Sequence, residues 1–192
     1  MCCRYYYDLN GIQKDIDGLD VRYELWPKEP EGEIGPGRDS LMIAGKDGLL
    51  ILSSANWGFP GKDKGLMINA RSESVLSRPA FSSSALSRRC ALPAVSFFEW
   101  DRRKQLVQFG HPSGDVMFLA GIWNMFGDEL RFTVLTTEAN DSVSPVHERM
   151  PLILDRKDVG RWILDARAME SIIGRQMPQL EPYRREEQLS LF

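Results

Sequence analysis

The sequence has few cysteines, few histidines and no long apolar run. Its three cysteines include no Cys-x-x-Cys pair, and an odd number leaves one unpaired, which disfavours a disulfide framework and a structural zinc site. The longest apolar candidate, Met117 to Phe126, falls well short of the roughly 20 residues that span a bilayer. The chain does not open with a secretory signal pattern. We therefore expect a soluble cytoplasmic protein, with no membrane partner, metal or cofactor.

The composition is that of one folded domain. Hydrophobic residues make up 43% of the chain, and nine Phe and five Trp supply apolar material for a core. The length of 192 residues is below the size of about 250 residues at which single cores commonly stop growing. We predict one domain over residues 1–177 and a tail over residues 178–192.

The net charge of −3 conceals an uneven distribution along the chain. Residues 1–47 carry 6 basic and 10 acidic side chains, residues 48–110 carry 9 and 4, and residues 111–192 carry 9 and 13. The middle segment therefore has an excess of positive charge, which can build a local basic face that the whole-chain charge conceals. A mixed, solvated surface is the ordinary alternative interpretation.

Six segments rich in β-branched or aromatic residues are separated by turn residues, a pattern typical of strands. They are Leu49–Ser53, Gly65–Asn69, Cys90–Trp100, Gln105–Phe109, Val116–Trp123 and Leu130–Thr136. The short connections favour hairpins, so we expect an α+β fold with a mainly antiparallel sheet or barrel-like core. A few packing helices are predicted after Ser77, Asp155 and Asp165, and residues 29–37 are predicted as a loop.

Cys2 is the first residue with distinctive chemistry. A small second residue generally permits removal of Met1, which would leave an N-terminal cysteine. Such a residue has an amine and a thiol on adjacent carbons, so it can capture an aldehyde as an imine and then as a five-membered thiazolidine. Its α-amine, with a pKa of about 7.7 to 8.0, is partly neutral at pH 7. A cysteine placed by chance at a frayed terminus is the alternative interpretation.

Three further side chains are candidates for catalysis. Glu99 lies in the aromatic run Phe98-Glu99-Trp100, where partial burial would raise its pKa toward a useful acid–base range. His147 lies in a proline-limited loop of the kind that often holds proton-transfer groups. Asn69 closes a predicted strand and can orient a substrate or the N-terminal amine. Each also has a structural interpretation, as a solvent-facing strand residue, a hydrogen-bonding histidine or a turn former.

Six sequence blocks, taken in order, resemble the SRAP family, the SOS response-associated peptidase domain. The blocks are Met1-Cys2, Trp57-Gly58-Phe59-Pro60, Ile68-Asn69-Ala70-Arg71-Ser72-Glu73, Phe98-Glu99-Trp100, Leu135-Thr136-Thr137 and Val146-His147-Glu148-Arg149-Met150-Pro151-Leu152. Each block alone is weak, but six in this order make the match specific. The resemblance implies a protein that recognises abasic sites in single-stranded DNA and crosslinks to them through its N-terminal cysteine.

The resemblance also implies a set of site residues. The catalytic set is Cys2, Asn69, Glu99 and His147, and the DNA-binding set is Arg4, Arg71, Thr136 and Arg149. Asn69 would position the amine and the opened sugar, Glu99 would assist imine formation and ring closure, and His147 would transfer protons to the sugar oxygen. Strand cleavage by β-elimination, removal of the first methionine and a place in DNA repair and the SOS response are implied as well. We expect a monomer that associates with the nucleoid when bound to DNA.

The sequence departs from the family pattern in three places. Cys3 stands where the family usually has glycine, so the pocket must admit a side chain or the main chain must shift. Gly61-Lys62-Asp63-Lys64 replaces paired tryptophans, which removes an expected base-stacking platform and leaves Trp57 as a candidate, although a core position is as consistent with it. Glu33-Ile34-Gly35-Pro36 replaces an asparagine-containing motif.

Two other functions remain open from the sequence. A thiol hydrolase would use Cys2, His147 and Glu99 on a peptide or amide, and turnover without DNA would identify it. A single-strand binding module with an idle cysteine would bind DNA in a salt-sensitive way, regardless of the lesion or of Cys2. An intact mass also bears on the choice, because retained Met1 would block the amine.

Overall fold

Short strands dominate the chain, and the computed structural model describes residues 2–23 and 32–184. The strands are β1 (Arg4–Tyr7), β2 (Val21–Tyr23), β3 (Gly32–Ile34), β4 (Asp39–Lys46), β5 (Leu49–Trp57), β6 (Phe59–Pro60), β7 (Leu66–Met67), β8 (Asn69–Arg71), β9 (Arg89–Ala94), β10 (Ser96–Trp100), β11 (Leu106–Gly110), β12 (Met117–Phe126), β13 (Glu129–Glu138), β14 (Arg149–Pro151), β15 (Ile153–Leu154) and β16 (Glu181–Arg184). The helices are α1 (Leu9–Asp17), α2 (Ser82–Ser87), α3 (Val159–Leu164) and α4 (Ala168–Ile173), and Ser72–Ser77 and Arg156–Asp158 form 3-10 turns.

Five of these strands close into a barrel. Strands β13, β12, β9, β4 and β5 pair in that order, and β5 returns to pair with β13 in parallel through Arg131↔Asn56 and Phe132↔Trp57. The other pairs of the ring are antiparallel. Apolar side chains such as Leu92 and Leu119 fill its core. The predicted mainly antiparallel, barrel-like core is therefore confirmed.

A second, antiparallel sheet carries the first residues of the chain, with the strand order β16-β11-β10-β1-β3. Strand β1 pairs with β10 through Arg4↔Phe98, and the buried Tyr5 hydroxyl donates to Ser40 Oγ on barrel strand β4 at 2.5 Å. This bond and the burial of Tyr5 and Tyr7 attach β1 to the barrel. The residues just before β1 are thereby held at a defined place.

The helices pack on the outside of the barrel as predicted from their apolar faces. Trp162 of α3 is fully buried, and its indole Nε1 donates to the Cys90 carbonyl of β9 at 2.9 Å. The predicted helix after Ser77 is shorter than expected, since α2 covers only Ser82–Ser87. Among the described residues, the helices are too short and too polar to cross a membrane.

Four local predictions differ from the structure. The predicted strand Gly65–Asn69 is interrupted, because β7 pairs with β6 in a two-stranded sheet and β8 begins at Asn69 beside β13. The predicted strand Cys90–Trp100 is two strands in different sheets, divided at Val95, whose amide donates to the Tyr6 carbonyl. In the predicted loop, residues 32–34 form β3 because they pair with β1, and residues 29–31 lie outside the described residues. In the predicted tail, Glu181–Arg184 forms β16 along β11, so the fold continues past residue 177.

Candidate active site

Cys2 and Asn69 meet directly. Cys2 is fully buried just before β1, and its carbonyl accepts a hydrogen bond from Asn69 Nδ2 at 2.8 Å. Asn69 begins β8 rather than closing the predicted strand, and its backbone is held by parallel pairing with Val134 of β13. Because both partners are fixed by strands, the amide can set the position of the Cys2 main chain.

Glu99 lies on β10 beside the first residues of the chain. The register Arg4↔Phe98 places Cys3 level with Glu99. Glu99 is only 1% exposed, and burial raises its pKa from 4.5 to about 7. A carboxyl with that pKa is about half protonated at neutral pH, which suits proton transfer in either direction.

The two neighbouring thiols are both held in the protonated form. Burial, and then the charge of Glu99, raise the pKa of Cys2 well above its usual value, and the same two causes raise the pKa of Cys3. Cys3 is partly buried, and its Sγ donates to the Phe98 carbonyl at 3.8 Å. The cysteine side chain is thus accommodated at the family's glycine position while β1 keeps its pairing with β10.

His147 lines a cleft of about 340 Å³ beside β10. The other lining residues are Trp100, Asp101, Arg102, Ser144, Val146 and Glu148. Nδ1 of His147 lies 2.9 Å from the Arg149 amide and 3.2 Å from the Arg149 carbonyl, so the backbone of Arg149 fixes the orientation of the ring. Burial lowers the pKa of His147, which favours the neutral ring at pH 7.

Arg149 is held by a fork of hydrogen bonds. Its Nη1 and Nη2 donate to the two carboxylate oxygens of Glu73 at 2.7 and 2.8 Å, and Nη2 also donates to the Thr136 carbonyl at 2.7 Å. These hydrogen bonds lower the pKa of Glu73. The arrangement joins β14, β13 and the turn after β8 at the site.

Five buried polar atoms around β8, β13 and β14 have no hydrogen-bond partner within residues 2–23 and 32–184. They are Asn69 Oδ1, Ser72 Oγ, Thr133 Oγ1, Thr136 Oγ1 and Arg149 Nε. Buried polar groups are nearly always paired, and an unpaired one costs about 1–3 kcal/mol. Their concentration here indicates a place for a polar ligand or water. Sequence reasoning had not assigned a role to Ser72, although it lies inside a block that resembles the family.

The remaining predicted contacts differ in their availability. Arg4 Nη1 donates to Glu33 Oε2 at 2.8 Å in an exposed ion pair, whereas the exposed side chain of Arg71 has no hydrogen bond to the described residues. Trp57 is no stacking platform, because it is fully buried and its Nε1 donates to the Ile68 carbonyl at 2.9 Å. Trp100 is 47% exposed and lines the His147 cleft. Strand alternation could have identified it, since it follows the inward-facing Glu99.

Comparisons with known proteins agree on the family. The family model of the SOS response associated peptidase (SRAP) matches residues 1–190. The abasic site processing protein YoaM of Bacillus subtilis is 30% identical over 181 residues, covering 85% of this chain and 79% of that protein. The abasic site processing protein YedK of Escherichia coli is 30% identical over 163 residues, covering 79% and 72%.

A solved structure shares the fold. A crystal structure of a Bordetella bronchiseptica protein superposes with a TM-score of 0.79 at 20% identity and covers 96% of this chain and 100% of that one. At this identity the superposition bears on the fold alone. Family assignment comes from the sequence matches over nearly the whole length of the chain, and the chain belongs to the SOS response associated peptidase (SRAP) family.

Proposed function

We propose that this protein recognises abasic sites in single-stranded DNA and captures them covalently through Cys2 after removal of Met1. Its relatives YoaM and YedK are named abasic site processing proteins, which supports this substrate. The proposal depends on one observation. The Asn69 amide donates a hydrogen bond to the Cys2 carbonyl at 2.8 Å, beside the buried Glu99, whose pKa is about 7. Met1 itself lies outside the described residues.

The chemistry follows from an amine and a thiol on adjacent carbons. The opened sugar of an abasic site presents an aldehyde, and the Cys2 nitrogen attacks its carbon to give a carbinolamine. Loss of water gives the imine, and the sulfur then adds to the imine carbon while the thiol proton passes to nitrogen. The product is a thiazolidine, and the one water released contains the aldehyde oxygen and the two amine hydrogens, while the thiol hydrogen remains on the ring nitrogen. If a base instead removes a proton from C2′ of the imine, a C2′–C3′ double bond forms, the 3′ phosphate leaves by β-elimination and the strand is cleaved.

Each proposed catalytic side chain can assist one step of this reaction. Protonated Glu99 can deliver a proton to the departing hydroxyl of the carbinolamine, and its ionised form can accept the proton of the buried Cys2 thiol. Asn69 holds the Cys2 carbonyl and so orients the amine. His147, whose ring is oriented by the Arg149 backbone and lines a cleft, is suited to proton exchange with the sugar oxygen released on ring opening.

We propose DNA contacts for all four predicted DNA-binding residues, which differ in how easily a phosphate can reach them. Arg71 is exposed, and among the described residues the Arg4 side chain is held by one exposed ion pair, a type worth about 0 to 1 kcal/mol that a phosphate can replace. Both Nη atoms of Arg149 are bonded to Glu73, so a phosphate contacts Arg149 through its unpaired Nε or by displacing Glu73. The unpaired Thr136 Oγ1 offers a hydroxyl beside the site. Trp100 supplies an exposed aromatic surface for base stacking in place of the missing tryptophans.

The thiol hydrolase alternative is disfavoured by the state of Cys2. A cysteine peptidase needs a thiolate, which forms when positive charge or a helix N-terminus lowers the pKa of the cysteine. Here burial and Glu99 raise that pKa instead. An imine route begins at the amine and needs the thiol only in a later, intramolecular step, so it tolerates a protonated thiol.

The decisive experiment incubates the purified protein, with Met1 removal verified by intact mass, with single-stranded DNA bearing one abasic site. We expect a protein–DNA adduct that survives a denaturing gel, is lost in Cys2→Ser and is retained in Cys3→Ser, the matched control. Borohydride traps an imine and leaves a thiazolidine unreduced, so it separates the two intermediates. No adduct from the wild-type protein, or equal adduct from Cys2→Ser, would contradict the proposal.

A further inference from the structure

The sequence after the last strand contains a short apolar peptide for which the proposed chemistry has no use. Residues 188–192 read Gln-Leu-Ser-Leu-Phe and follow the charged run Arg185-Glu186-Glu187. Residues 185–192 lie outside the described residues. Three large apolar side chains within four positions are too few to form a core of their own. Their chemistry is that of a peptide that anchors in an apolar cleft of another protein, with the glutamine amide at its polar rim.

The structure fixes the place from which this peptide starts. Asn140 Nδ2 donates to the Met177 and Pro178 carbonyls at 3.1 and 2.7 Å, and Leu180 is buried. The segment then runs along β11 as β16. These contacts anchor the chain to the loop after β13 and to the second sheet up to Arg184.

That starting point lies beside the proposed crosslinking site. Arg184 pairs with Val107, and Val107 pairs with Glu99, so Arg184 is two strands, or about 10 Å, from the Glu99 backbone. The three residues 185–187 can extend the chain by at most about 11 Å. A partner seated on residues 188–192 would therefore sit next to the DNA-processing face, which favours a partner that itself resides on DNA.

We propose that residues 188–192 dock this protein onto the ring-shaped sliding clamp of DNA replication. The clamp encircles DNA, and bacterial clamps receive partner proteins in a surface cleft that accepts glutamine-leucine-x-leucine-phenylalanine peptides of this kind. The choice of a DNA-bound partner rests on the proposed function, whereas the docking interaction itself needs no abasic site. Docking would hold the crosslinking site close to single strands exposed at replication.

The test uses the full chain and a purified Escherichia coli sliding clamp, without DNA, in a surface plasmon resonance or calorimetric titration. We expect saturable binding that falls at least about 20-fold in the double variant Leu191→Ala/Phe192→Ala, because both apolar anchors are removed. Ser190→Ala is the matched control inside the peptide and should stay within about threefold of wild type.

Two further readouts separate this proposal from the proposed function. The double variant should form the abasic-site adduct as well as wild type does and should unfold at the same urea concentration. Absence of saturable binding, or equal binding by the double variant, would overturn the docking proposal whatever the adduct assay shows. A lower urea midpoint without clamp binding would also overturn it, since the apolar peptide would then be packing on its own barrel.

Discussion

Glu99 should lower the stability of this protein at neutral and alkaline pH, and replacing it with glutamine should remove that effect. Its pKa is about 7 in the folded state because of burial, against an ordinary 4.5. Below pH 4.5 the carboxyl is protonated in both states. Between pH 4.5 and 7 the unfolded state releases the proton first, so the folded state binds more protons and stability falls as pH rises. Above pH 7 the full penalty is present.

The size of the effect follows from the two pKa values. Their difference corresponds to about 3 kcal/mol in total, of which about 2.5 kcal/mol is lost between pH 5 and pH 8. Glu99→Gln keeps the shape and hydrogen-bonding capacity of the protonated carboxyl but does not titrate. The free energy of unfolding of the variant relative to wild type should therefore rise by about 2.5 kcal/mol between those pH values.

The assay is urea unfolding followed by tryptophan fluorescence at pH 5 and pH 8. Comparison of variant with wild type cancels the titration of all other groups. Glu170→Gln on α4 is the matched control, because its side chain lies in solvent. A stability difference between Glu99→Gln and wild type that is the same at both pH values would refute the reasoning. The same variant should form the adduct about 100- to 10,000-fold more slowly, because it cannot transfer protons. The carboxyl therefore lowers stability but accelerates the reaction.

Three other perturbations test the site. Asn69→Ala removes the hydrogen bond to the Cys2 carbonyl and should slow adduct formation up to about tenfold in single-turnover assays, and an unchanged rate would show that the amide does not position Cys2. Cys3→Gly should leave the adduct yield and mass unchanged, since the thiol is protonated and hydrogen-bonded to strand β10, and a large gain in rate would show that Cys3 competes with Cys2. Trp100→Ala should weaken single-stranded DNA binding in fluorescence anisotropy by about 1–3 kcal/mol with little change in stability, whereas Trp57→Ala should cost about 3–5 kcal/mol of stability in urea unfolding. Equal effects of the two tryptophan variants on DNA binding would remove the case for stacking on Trp100.

Local patterns in the sequence were enough for the general architecture. Runs of β-branched and aromatic residues separated by turn residues predict short antiparallel strands, and four of the six predicted segments fall on one strand each. The other two, Gly65–Asn69 and Cys90–Trp100, each cover parts of two strands. The amphipathic faces around Trp162 and Ile172 predict packing helices, and both side chains are buried. These features depend on neighbours close in sequence, which is why they can be read without a structure.

Strand pairing between distant parts of the chain could not be predicted from the sequence. Closure of the barrel depends on the parallel pairing of β5 with β13. One hydrogen bond between these strands, from Arg131 Nη1 to Asn56 Oδ1, joins residues 75 positions apart in the chain, and no local pattern encodes it. The division of Cys90–Trp100 into two sheets at Val95 depends on the Tyr6 carbonyl. Strand β3 and strand β16 form only because β1 and β11 offer them an edge.

The same division applies to the site. The sequence alone determined which residue types are available: a cysteine beside the start, a carboxyl in an aromatic run, one histidine in a proline-limited loop and an asparagine in a family-like block. Only the tertiary structure decided that Asn69 holds the Cys2 carbonyl, that Glu73 occupies Arg149, and that Trp100 rather than Trp57 faces solvent. The physical reason is that pKa, burial and hydrogen-bond partners are set by groups brought together from distant parts of the chain, whereas residue chemistry is local.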